Sequence, residues 1–318
     1  MTDCPTAIPG RPFGRVLTAM VTPFDENGEL DVALAQELAT YLVDRVGNDG
    51  LVVNGTTGES PTTTDEEKER LLRAVVEAVG DRATVVAGAG TNNTEHSVEL
   101  ARSAEKAGAH GLLVVTPYYS RPPQEGLYQH FWTVADATDL PVMLYDIPPR
   151  SVVPIQIDTL KRLAEHPRIK AVKDSKHDLL AGSEVMAATD LAYYSGEDPL
   201  NLPWLSVGAV GFVSVIGHVV GDRLRKMLDA YESGDIKTAH EIHYGLLPVY
   251  RAMNGVGGVI FAKTALRLCG YDTGQPRLPL PAATDEQVRL ITSDLWDAGL
   301  VLVNPDANPD AAAEVTQH

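Results

Sequence analysis

From Val16 onward the chain alternates short apolar runs with longer amphipathic stretches. The runs are VLTAMV (16–21), GLVVNG (50–55), TVVAGAG (84–90), GLLVVTP (111–117), PVMLYDIP (141–148), IKAVKDS (169–175), LAYYSGE (191–197) and AVGFVSV (209–215). Most are continuously apolar rather than alternating, the pattern of strands buried on both faces. Between them lie segments with helical spacing, among them DVALAQELATYLVDRV, TDEEKERLLRAVVEAVG and NTEHSVELARSAEKAGA. The second offers Thr64 or Asp65 as N-cap ahead of Glu66 and Glu67, whose charges suit a first helical turn. The third ends at Gly108, a natural residue just past a helix terminus. Eight β–α alternations without a long linker predict an α/β protein, a closed (β/α)8 TIM barrel over residues 15–220. A doubly wound open sheet is the alternative, but no G-x-G-x-x-G follows the first strand, so the dinucleotide fingerprint is absent.

Residues 1–14 read as an N-terminal extension. Residues 221–303 keep helical patterning, as in GDRLRKMLDAYESG and DEQVRLITSDLWDAG, and read as a helical appendage to the barrel. The stretch 304–318, NPDANPDAAAEVTQH, is small and polar and reads as a disordered tail.

Composition narrows the function. Of the 318 residues 43 are acidic and 26 basic, a formal net charge of −17, and no basic run occurs. Nucleic acid and anionic membranes need concentrated Lys and Arg, so neither is expected as a partner. The start MTDCPTAIPGRPFGR has no apolar core of a signal peptide, and no segment has the length and apolarity of a membrane span, so a cytoplasmic enzyme of small metabolites is expected. Cys4 and Cys269, the only cysteines, lie near opposite ends, so no disulfide is expected. His240 and His243 share a helix face without a third ligand nearby, which argues for surface residues and no metal.

In barrels of this kind the active site lies at the C-terminal ends of the strands. Strand two ends in Asn54-Gly55-Thr56-Thr57-Gly58-Glu59-Ser60, strand four in Thr116-Pro117-Tyr118-Tyr119, strand five in Tyr145-Asp146-Ile147-Pro148-Pro149-Arg150. Strand six carries Lys173, and strand seven runs into Ser195-Gly196-Glu197-Asp198. Lys173 stands in an apolar strand, where a charged side chain is costly unless satisfied. Burial disfavours the ammonium and leaves an amine able to attack a ketone. The plain alternatives are a lysine that snorkels out of the barrel mouth or pairs with Asp174. Each neighbour has an ordinary reading as well: Thr56 and Thr57 between glycines can be a simple turn, and Tyr119 and Tyr145 packed amphipaths. Arg150, held stiffly behind two prolines, can grip a carboxylate bidentately or form a surface ion pair.

Taken together and in order, GTTGES, VTPYY, LYDIP..R, VKD and YYSGED closely resemble the dihydrodipicolinate synthase family, from VLTAMVTPF near residue 16 to RLP near 279, with wording similar to actinobacterial members. The resemblance implies that Lys173 forms a Schiff base with pyruvate and that no cofactor is needed. It implies that Tyr145 is the acid/base, that Thr56 passes protons between Tyr145 and Tyr119, and that Thr57 holds the pyruvate carboxylate. Arg150 would receive the carboxylate of L-aspartate 4-semialdehyde, and the carbonyls of Gly196 and Val213 would lie near the lysine and the bound substrate. A homotetramer built as a dimer of dimers is implied too, with Tyr119 reaching into a neighbouring subunit's site, and a place in lysine and diaminopimelate biosynthesis. The chain departs from the pattern in two respects. Asp146 stands where many members carry asparagine, and Asp65, Lys68 and His96 replace groups of the lysine-inhibition site, so weak lysine feedback is expected. Keto-sugar-acid aldolases of the same superfamily, such as N-acetylneuraminate lyase or 2-keto-3-deoxygluconate aldolase, are the competing activity. A non-catalytic binding protein on the same barrel is disfavoured by the presence of both Lys173 and Tyr145.

Overall fold

A computed structural model describes residues 5–7 and 10–303; Cys4 and the tail expected at 304–318 lie outside the described residues. All eight apolar runs form strands: β1 Val16–Ala19, β2 Gly50–Val53, β3 Thr84–Gly88, β4 Gly111–Val115, β5 Val142–Asp146, β6 Ile169–Asp174, β7 Ala192–Ser195 and β8 Gly211–Ser214. Each pairs in parallel with the next, and β8 returns to β1 through Leu17 and Val213, closing the barrel. Side chains alternate across the wall. Leu17, Val52, Val86, Leu113, Met143, Ala171 and Val213 fill the interior. Val16, Leu51, Val53, Val85, Leu112, Leu144, Val172 and Phe212 face the helices. Two apolar environments on opposite sides of one strand are the reason the runs are continuous rather than alternating.

The outer layer comprises α1 Val32–Thr40, α2 Asp65–Val79, α3 Thr94–Lys106, α4 Gln124–Asp136, the single turn α5 Pro148–Ser151, α6 Ile157–Leu163, α7 Leu179–Ala188, α8 Asn201–Ser206 and α9 Gly217–Glu232. Thr64 is the N-cap of α2: its hydroxyl accepts from the Glu67 N–H at 3.2 Å, and the Glu67 carboxylate accepts from the Thr64 N–H at 2.8 Å. Such a reciprocal box satisfies two of the donors a helix start leaves unpaired. Gly108 follows α3 with φ +87°, as its place past the helix end requires.

Below the strands, Phe13 is fully buried in the interior and the Tyr194 hydroxyl donates to the Gly14 carbonyl at 2.9 Å, so this segment is the barrel floor. The bound read at 220/221 falls inside α9, so the GDRLRKMLDAYE stretch read as appendage belongs to the barrel's outer layer, and the appendage proper is α10 Ile236–Gly245, α11 Leu247–Val256, α12 Gly258–Leu268 and α13 Asp285–Asp297. Val249, Phe261, Leu266, Ile291 and Leu295 from these helices are buried and belong to the same apolar core as the barrel's outer layer. The appendage is therefore continuous with the barrel.

Candidate active site

Lys173 and Tyr145 are direct neighbours in the β5–β6 register, one step before their strands end. Both point inward, 5% and 4% exposed. The Lys173 ammonium lies 4.0 Å from the centroid of the Tyr145 ring, a cation–π contact that orders the flexible side chain. Among the described residues no carboxylate comes within ion-pair reach of Lys173. The Asp174 carboxylate instead caps the following turn, accepting from the N–H groups of Lys176 at 2.9 Å and His177 at 3.2 Å. Lys173 thus neither snorkels nor pairs with Asp174. Gly196 makes room for its stem: a Cβ there would stand 2.9 Å from Lys173 Cγ and 2.4 Å from Ser175 Oγ. The Gly196 carbonyl accepts from Ser175 Oγ at 3.0 Å, and Val213, 1% exposed, lines the interior on β8.

Above this pair opens a cavity of about 450 Å³ lined by Thr56, Tyr119, Tyr145 and Arg150, with Asn54, Ser60, Tyr118 and Ile147 among its other walls. The loop after β2 is shaped in an unexpected way. Its non-glycine ends Asn54 and Glu59 carry the positive φ, +60° and +58°. Gly58 serves close approach instead, since a Cβ would lie 3.1 Å from the Met20 carbonyl, and the Thr22 hydroxyl donates to the Gly58 carbonyl at 2.6 Å. Thr56 reaches the cavity from this loop and Thr57 is buried beside it. Arg150 sits on α5, and no carboxylate of the described residues lies within 4 Å of its guanidinium, so it is free to take an anion from the cavity. Tyr119 is 88% exposed at the rim with φ +71°, a costly backbone state for a tyrosine.

Behind the wall, Asp146 and Asp174 are register partners as well and are buried on the face opposite Tyr145 and Lys173. Burial pushes the Asp146 carboxyl up to about 6, against the pull of the Lys176 ammonium at 3.3 Å. Asp174 is raised by burial too. The sequence singled out Asp146 only as a departure and Asp174 only as a possible partner of Lys173; Lys176 carried no signal.

A closed (β/α)8 barrel with a buried lysine against the ring of a cavity-lining tyrosine, and an arginine lining the same cavity, neither with a carboxylate partner among the described residues, defines a lyase of the kind that works through a lysine imine. Residues 12–296 match the Dihydrodipicolinate synthetase family, and the chain belongs to that family. It is 62% identical over 298 residues to 4-hydroxy-tetrahydrodipicolinate synthase 2 of Streptomyces coelicolor, covering 94% of this chain and 99% of that one. It is 58% identical over 301 residues to the 4-hydroxy-tetrahydrodipicolinate synthase of Mycobacterium leprae, covering 95% and 100%. Among solved structures, dihydrodipicolinate synthase DapA-2 of Bacillus anthracis superposes with TM-score 0.87 at 45% identity, over 89% of this chain and 98% of its own. The enzyme of Cyanidioschyzon merolae, solved with lysine bound, gives 0.89 at 40% identity over 91% and 99%.

Proposed function

We propose that this enzyme condenses pyruvate with L-aspartate 4-semialdehyde to 4-hydroxy-tetrahydrodipicolinate, in lysine and diaminopimelate biosynthesis. The observation that carries the reading is the buried Lys173 amine, without a carboxylate partner among the described residues, 4.0 Å from the Tyr145 ring. The neutral amine attacks the pyruvate carbonyl, and the carbinolamine expels its hydroxyl as water when Tyr145 supplies a proton. The resulting iminium withdraws electrons, the methyl group gives up a proton, and the enamine attacks the aldehyde carbon. The amino group of the semialdehyde then adds to the imine carbon and closes the ring, and Lys173 leaves as the free amine. Thr56 relays protons between Tyr145 and Tyr119, Thr57 holds the pyruvate carboxylate, and Arg150 receives the carboxylate of the second substrate. The carbonyls of Gly196 and Val213 border the bound imine. The chemistry asks for no cofactor.

The assembly follows from the same reading: a homotetramer built as a dimer of dimers, in which the strained, exposed Tyr119 enters a neighbouring subunit's cavity. No helix among the described residues is long and apolar enough to cross a membrane, and we place the enzyme in the cytoplasm. The test is pyruvate-dependent turnover of the semialdehyde beside borohydride trapping of pyruvate. Wild type is expected to do both and Lys173→Ala neither. Trapping on Lys173 without turnover would overturn the second substrate, and loss of both in wild type would overturn the imine.

A further inference from the structure

Glu59 ends the loop that carries Thr56 and Thr57, and it is an unusual residue for that place. It is 3% exposed and adopts φ +58°, a state a side chain of this size takes only where its surroundings impose it. Its backbone N–H donates to the Thr56 carbonyl at 3.1 Å, and the next N–H, of Ser60, donates to the Gly55 carbonyl at 3.3 Å. Wherever Glu59 is held, Thr56 is therefore held as well.

Both carboxylate oxygens of Glu59 are gripped by the C-terminal region. Oε1 faces the Lys263 ammonium of α12 at 3.2 Å, and Oε2 accepts from the backbone N–H of Arg277 at 2.7 Å. Lys263 is itself 3% exposed, donates to the carbonyls of Gln275 at 3.2 Å and Thr273 at 3.4 Å, and lies 4.2 Å from the centre of the Phe24 ring. The Arg277 guanidinium covers the same ring at 4.1 Å, clasps Glu67 at the start of α2 at 2.5 and 2.8 Å, and donates to the carbonyls of Gly28 and Thr62. A buried glutamate facing a buried lysine is seldom the cheapest way to hold two segments together, because desolvating two charges offsets their attraction. What such a pair supplies over an apolar contact is direction.

We propose that Glu59 and Lys263 are positioning residues: through this pair the C-terminal helices set where Thr56 stands in the cavity and where Thr57 lies beside it. The inference rests on the reading that those two threonines meet pyruvate. It assigns the appendage a part in substrate binding, although none of its residues lines the cavity.

The decisive protein is Glu59→Gln/Lys263→Met, which removes both charges and leaves neither buried alone; Lys263→Met is studied beside it. The readout is the pyruvate concentration giving half-maximal borohydride trapping on Lys173, with Arg251→Gln, which breaks a surface pair with Asp294 on the same appendage, as control. The double variant is expected to melt closer to wild type than Lys263→Met does, yet to need at least fivefold more pyruvate, while the control needs no more than wild type. Half-saturation within twofold of wild type in the folded double variant would overturn the proposal. In wild-type enzyme, pyruvate is expected to slow amide exchange in residues 56–60 and in α12 together; slowing confined to residues 56–60 would overturn it as well. Wild type that traps no pyruvate at any concentration would sink the functional reading instead.

Discussion

Replacing Asp146 by asparagine isolates the cost of one buried charge behind the reactive pair. Asp146 is fully buried at the end of β5, and its carboxyl is raised from the ordinary 3.8 to about 6, by burial first and by neighbouring Asp174 as well. Lys176 at 3.3 Å and the Ile155 N–H at 3.2 Å oppose the shift without cancelling it. The folded protein therefore binds this proton more tightly than the unfolded chain, and stability falls as pH rises from about 4 to about 6. A shift of about two units corresponds to about 3 kcal/mol lost once the pH is well above the folded value. About 1.4 kcal/mol of that falls between roughly pH 5 and pH 8, by the same linkage relation. With an unfolding entropy of about 2.1 cal/mol/K per residue, this is about 2 °C for a chain of 318 residues. Asparagine cannot ionise, so the melting temperature of Asp146→Asn minus that of wild type is expected to grow by about 2 °C from the lower to the higher pH. Scanning calorimetry of both proteins in parallel buffers measures it, and Asp174, Lys176 and His177 largely cancel because both proteins carry them. A difference that stays constant, or shrinks as pH rises, would show that Lys176 keeps Asp146 ionised throughout and would refute the reasoning.

Other expectations concern the cavity itself. Tyr145→Phe keeps the ring beside Lys173 and removes only the hydroxyl, so turnover is expected to fall by about 10² to 10⁴ while slow trapping of pyruvate persists; a change below tenfold would remove Tyr145 from the proton path. Arg150→Ala is expected to raise the KM for the semialdehyde about ten- to a hundred-fold, the worth of a charged hydrogen bond, with pyruvate trapping unchanged, and an equal rise for both substrates would contradict the assignment. Lys68 is buried and donates to the Thr63 carbonyl at 2.6 Å, with Asp65 shared between it and His96. A second cation there meets a site already filled, so a lysine titration into the millimolar range is expected to cost less than half the turnover, and sub-millimolar half-inhibition would refute the expectation.

Much of this protein was legible in the chain alone because its barrel is built from local signals. Strands buried on both faces leave continuous apolar runs, and helix starts carry their caps within three residues, so the eight strands and the Thr64 cap could be read in order. The positions of Lys173, Tyr145, Thr56, Tyr119 and Arg150 at successive strand ends were readable for the same reason, since a closed parallel barrel brings all those ends to one face. Pairings between residues far apart in sequence left no such trace. Only the register between β5 and β6 puts Lys173 against Tyr145 and, one residue on, Asp146 beside Asp174 on the other side of the wall. Only the return of the C-terminal helices over the barrel sets Lys263 against Glu59. Backbone state was hidden too: around the cavity Asn54, Glu59 and Tyr119 are left-handed although none is glycine, because tertiary contacts hold residues there against their local preference. Periodicity reports what a residue's own segment needs, whereas the partners that aim a side chain come from elsewhere and are decided by how the layers close.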